Sequence, residues 1–144
     1  PWQHLPRPGG ELLMNGGTIA TVAFMCVLAM SGCNGATVTQ PQDVVFPDSN
    51  VRFRGQVLPF LTVTCANGGC HNEISAAGGI RLTSYTALIS DRPNLVVPGR
   101  PDESTVIQVL EGKLGHPVGD LPQRVSSAQV QGMRRWVTEG ALNN

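Results

Sequence analysis

The sequence predicts an all-α domain of short helices joined by long loops, behind an apolar leader. Three observations carry that expectation. Apolar residues beyond position 50 recur at spacings of three and four, and no alternating stretch reads as a strand. Clusters drawn from 17 glycines and 11 prolines cut these periodic runs into short pieces. Aromatic residues make up only 5% of the chain, so the helices have little bulk with which to fill a core. Something else is expected to supply core volume. The 144 residues allow one domain plus a leader, and zero net formal charge gives no reason to invoke nucleic acid.

Residues 18–33, "TIATVAFMCVLAMSGC", open the chain's readable organisation. The uncharged apolar run is shorter than the roughly 20 residues a spanning helix needs, and has the proportions of a secretory signal core. Its ending, "AMSGC", resembles a bacterial lipobox, with Met30 where Leu is more usual. On that reading Cys33 is lipidated and becomes the mature N-terminus, while Cys26 leaves with the signal. Residues 1–32 are then leader, with 1–13 ahead of Met14 reading as upstream sequence or a fragment edge. The "MNGG" start lacks the customary Lys or Arg, and a buried apolar helix is the alternative. Residues 33–49, rich in Thr, Gln, Pro and Asn, suit a flexible tether, leaving 50–144 as the folded domain. The chain is thus expected on the periplasmic side of a bacterial membrane. Asn34, where Asp would signal retention at the inner membrane, points to the outer one.

Within the domain, Phe53, Val57, Phe60 and Leu61 predict a first helix over 51–64 with Asn50 as cap. Gly55 and Pro59 predict that it is short or kinked and stops at the first Cys. Residues 72–84 read as a loop turning at Gly78 and Gly79, and Ser84 as the cap of a short helix through Tyr85, Leu88 and Ile89. Three prolines over 91–101 predict an extended run. Pro101 should begin the next helix, which presents Val106, Val109 and Leu110 and stops at Gly112. A loop over 113–124 precedes the clearest helix. There Ser126 and Gln129 form a capping-box pattern, Val130, Met133 and Val137 mark the buried stripe, and Gly140 ends it.

The chemistry concentrates in "CANGGCH", residues 65–71. A c-type haem is attached through two Cys thiols, with the adjoining His as an axial iron ligand, usually in the pattern C-x-x-C-H. The second thioether fixes the chain at the haem edge, so the next side chain is carried over the ring face. Here four residues intervene in place of two, and Asn67, Gly68 and Gly69 tolerate the backbone angles that let the excess bulge outward. Cys65 and Cys70 are therefore candidate thioether positions and His71 the candidate proximal ligand. Two rivals stay open. A Cys65–Cys70 disulfide suits an exported chain but leaves His71 idle. A zinc site would recruit His116, although consecutive ligands converge poorly on a tetrahedral ion.

Around this motif the chain resembles the small class I monohaem cytochrome c domains of planctomycetes. The resemblance rests on "VLPFL" before the first Cys, then "GGIRLTSYTALI", "VVPGRPDESTV" and "VSSAQVQGMRRWVTEGA", in that order over about residues 53–142. It implies the compact cytochrome c fold wrapped around one covalent haem c, electron transfer rather than enzymatic turnover, and Trp136 in the core near the haem, against the N-terminal helix. The match fails at the sixth ligand. Where the family presents a Met–Pro step, this chain has Leu121–Pro122, and Leu cannot ligate iron. His116, in "GHPVG", is the favoured distal candidate; Met133, mid-helix, ranks behind it, and a five-coordinate haem with an open face is the third option.

The expected function is that of a membrane-tethered monohaem carrier passing electrons between membrane-associated redox proteins. The alternatives are a five-coordinate haem sensor and a haem-free, disulfide-stapled lipoprotein that acts as a binding module.

Overall fold

The computed structural model describes residues 37–67, 69–117 and 124–144, within the unit Thr37–Asn144. The run read as a signal core, Cys26, Cys33 and the Leu121–Pro122 step lie outside the described residues. Among those described, secondary structure is helical with no strand, as the periodicity predicts, and no helix is long and apolar enough to cross a membrane.

Helix α1, Leu58–Leu61, runs without a break from a π-helical turn at Phe53–Val57 into another at Thr62–Ala66. The wide turns accommodate Pro59, whose missing N–H and bulky ring would disrupt a regular α-ladder at this point. Helical backbone therefore passes Cys65 and stops at Asn67, which is extended. Phe53, Val57, Phe60 and Leu61 are all buried, as their spacing predicts. Asn50 does not cap this helix: it sits at φ 55, and its N–H donates to the Glu139 carboxylate. The cap comes from the far end of the sequence, where Asn144 accepts from Phe53 N–H through Oδ1 (2.8 Å) and from Arg54 N–H through its main-chain oxygen (3.0 Å).

Helix α2, Tyr85–Ser90, is capped by Ser84, whose Oγ accepts from Ala87 N–H. The run expected to be extended over 91–101 instead turns repeatedly, with Asn94 (φ 61) and Gly99 (φ 77) supplying the left-handed positions. Pro101 begins only a 3-10 turn, Pro101–Glu103, and helix α3 starts afterwards at Thr105 and runs to Leu110. Ser104 makes the break. It is fully buried, accepts from Val97 N–H at 2.8 Å and donates to Arg100 C=O at 3.0 Å, and adopts extended backbone to do so.

Helix α4, Ser127–Thr138, carries the capping box read from Ser126 and Gln129. Its Met133, Trp136 and Val137 are fully buried, and each such side chain contributes about 1.5–3 kcal/mol on leaving water. Trp136 lies beside Phe53 (5.8 Å), which meets Tyr85 edge-on (5.3 Å). Arg134 ties α4 to α3 and the preceding turn through Glu111 (2.7 Å) and Asp102 (2.8 Å).

The segment read as flexible tether is packed over 41–46. Val44 is buried, Phe46 sits edge-on to Phe60 at 5.6 Å, and the Gln129 amide donates to the carbonyls of Pro41 and Val44. Gly132 is the reason that Phe46 fits against α4. A Cβ at position 132 would come within 3.0 Å of three Phe46 atoms, its own Cβ among them. The packed domain therefore begins ahead of residue 50.

Candidate functional site

The site grows from the end of the first helical run. The π turn places Cys65 near its last position, and the arc closes when His71 N–H donates back to Cys65 C=O at 3.2 Å. Gly69, at φ 90, takes a conformation that glycine adopts without strain. The strand-like stretch 80–82 then returns alongside, with Leu82 N–H donating to His71 C=O at 2.9 Å.

His71 is held by its side chain as well. Nδ1 lies 3.2 Å from Ile80 C=O. A carbonyl can only accept, so Nδ1 carries the proton and Nε2 keeps the lone pair. That tautomer is the one in which a histidine binds a metal through Nε2 with its other nitrogen oriented by a second contact.

Cys65, Cys70 and His71 all line one cleft of about 150 Å³ with His116. Its wall is apolar, built by Ile80, Leu82, Leu95, Val106, Val109 and Leu110 from three separate parts of the chain. Cys70 is exposed and Cys65 is half-buried, and both are free thiols. Burial pushes the Cys65 thiol up to about 12, with the adjacent Cys70 adding to the rise, so it is a neutral S–H at pH 7.

These residues suit a haem on three counts. The two thiols and a correctly oriented imidazole share the cleft. The His71 and His116 rings stand 5.9 Å apart between centres. One metal bound by a nitrogen of each ring, at about 2 Å per bond, needs a centre-to-centre distance of about 6 Å. Thr64 Oγ1, on the cleft lining, is buried without a hydrogen-bond partner among the described residues. Among the described residues no group of three or more His, Cys, Asp or Glu is placed to hold a metal ion.

The remaining sequence candidates fall elsewhere. Met133 lies in the core, away from the cleft lining, because its helical register points it to the same side as Trp136 and Val137. The structure thus removes it from the cleft. Trp136 is buried and its Nε1 donates to Leu142 C=O at 3.0 Å, but it does not line the cleft either. Sequence reasoning missed the Ile80 carbonyl and the Thr64 hydroxyl. A main-chain carbonyl leaves no residue signature, whereas Thr64 had only its adjacency to Cys65 to mark it.

Among protein families, residues 68–114 match the family model described as planctomycete cytochrome C, in agreement with the resemblance drawn from the sequence. The matched range takes in Cys70, His71 and the wall of the cleft from Ile80 to Leu110. No curated protein and no solved structure matches the chain.

Proposed function

From the premise of a planctomycete-type cytochrome c domain, we propose that this chain is a monohaem electron carrier, exported and tethered by lipid on Cys33. The observation that carries the reading is the convergence of two free thiols and the Nε2-presenting His71 on an apolar cleft faced by His116. Cys65 and Cys70 would each add S–H across a vinyl C=C, forming one S–C and one C–H bond without an oxidant. His71 would hold the iron through Nε2, and His116, across the cleft, would be its second protein ligand. The bound haem supplies a one-electron Fe(III)/Fe(II) couple. The apolar wall excludes water from that couple, and an imidazole in place of a thioether keeps its potential low. Cys70 is the exposed thiol of the cleft, and attachment there would leave one edge of the group open to an approaching redox partner. Lipid on Cys33 would confine encounters to membrane-associated oxidoreductases on the periplasmic side.

The test is expression in a host with cytochrome c maturation. A covalent mass gain of one haem and a reduced-minus-oxidised spectrum with sharp bands are expected. A colourless protein that has lost two hydrogens would instead be the disulfide-stapled binding module. His116→Ala should convert a protein that resists carbon monoxide in the ferrous state into one that binds it rapidly. Rapid binding by the wild type would favour a five-coordinate sensor.

A further inference from the structure

His71 depends on Ile80 C=O for its tautomer and orientation, so whatever fixes that carbonyl acts on the iron ligand. The stretch 80–82 is gripped from two sides. On one, Ile80 C=O and Leu82 N–H both engage His71. On the other, the residue between them binds Asp91 three times. Arg81 donates its main-chain N–H (2.9 Å) and Nε–H (3.0 Å) to Asp91 Oδ2, and Nη2–H (2.7 Å) to Oδ1. The Asp91 side chain is only 8% exposed, and its backbone N–H closes the end of α2 on Ala87 C=O. Glu73 braces the same guanidinium from the histidine's own loop at 3.3 Å, and accepts from the Thr83 hydroxyl.

We propose that Arg81 and Asp91 are positioning residues, a clamp that holds Ile80 C=O against His71 Nδ1–H and thereby sets the donor strength of His71 toward iron. This rests on His71 being the proximal ligand. Alternation along an extended backbone makes the coupling direct: Arg81 N–H points to Asp91 while the carbonyl before it points to His71. A firm hydrogen bond to Nδ1–H raises the basicity of Nε2 and favours the ferric state. A loosened clamp weakens that bond and raises the reduction potential.

Charge-conserving variants separate this from a simple field effect. Arg81→Lys keeps the charge and loses the fork; Asp91→Glu keeps the charge and displaces the carboxylate. In the matured holoprotein, poised at the wild-type midpoint, both variants should lower the oxidised-to-reduced ratio by about threefold to tenfold, tenfold corresponding to about 59 mV. Solvent exchange of the His71 ring proton, read by NMR of the ferrous protein, should accelerate about tenfold or more. A role limited to stability would lower the melting temperature and leave both readouts at wild-type values, which overturns the clamp. Shifts in opposite directions would overturn it too. If the matured wild type carries no thioether haem, the carrier reading itself fails and takes the clamp with it; haem-loaded variants at the wild-type potential sink the clamp alone.

Discussion

Replacing Gly132 by Ala tests whether the segment ahead of residue 50 is part of the domain. In an exposed helix interior this change stabilises by about 1 kcal/mol, because Ala loses less backbone entropy than Gly. Here the new methyl group would sit within 3.0 Å of Phe46 Cβ, Cγ and Cδ1. A clash that includes Cβ cannot be relieved by rotating the ring, so the backbone at Phe46 has to shift. Overpacking of this kind costs about 1–3 kcal/mol, which outweighs the propensity gain. Because the clash reaches Phe46 Cβ, the cost falls in the upper part of that range, about 2–3 kcal/mol, leaving a net loss of about 1–2 kcal/mol, or a fall of roughly 5–15 °C in Tm for a domain of this size. The assay is urea unfolding of the matured protein, read as a shift in midpoint at constant slope. Phe46→Ala supplies the control. It weakens the domain by losing the edge contact with Phe60, and it removes the obstacle, so Gly132→Ala should become neutral or stabilising in that background. An equal loss in both backgrounds, or a gain in the wild type, would refute the packing of 41–46 on α4.

Two further outcomes follow from buried polar groups and from charge. Ser104→Ala strips the part-buried Val97 N–H of the acceptor supplied by the fully buried Ser104 hydroxyl and should cost about 1 kcal/mol in the same unfolding assay, with Ser104→Gly no better. In acid, Arg81 holds Asp91 below the ordinary carboxylate range, Arg134 does so for Asp102, and Lys113, then Arg134, for Glu111. Folded values below the unfolded ones, about 3.9 for Asp and 4.3 for Glu, mean stabilisation present above about pH 4. It is lost as pH falls through the depressed values. A urea midpoint that drops below pH 4, less steeply in Glu111→Gln, is expected; an unchanged acid limb in that variant would count against the network.

What the sequence made legible was local. The capping box at Ser126, the cap at Ser84 and the contiguous Cys70–His71 pair each depend on groups a few residues apart, so their spacing alone carries them. Pro59 signalled a break in regular winding, but not that the break would take the form of π turns on both sides of Leu58–Leu61. Asn50 misled because its N–H was claimed by Glu139, 89 residues away, and the cap role passed to Asn144. The docking of Phe46 had one sequence signal, a glycine inside an otherwise regular helical pattern, which marks a close approach. At the site, the side chains that meet the cleft could be named in advance, but their supports could not. The Ile80 carbonyl and the Arg81–Asp91 fork depend on how a loop returns, and no residue type announces that.

The bond from Phe53 to Asn144 spans 91 positions, and with the one from Arg54 it ties the first helical run to residue 144. Closing a loop that long costs about 4 kcal/mol of chain entropy, which must be met before either amide gains a partner. The helix that delivers Cys65 is held at the end opposite the thiol by residues from the far side of that loop. Loss of Asn144 would leave those amides unanswered and loosen the start of the helical run whose other end carries Cys65.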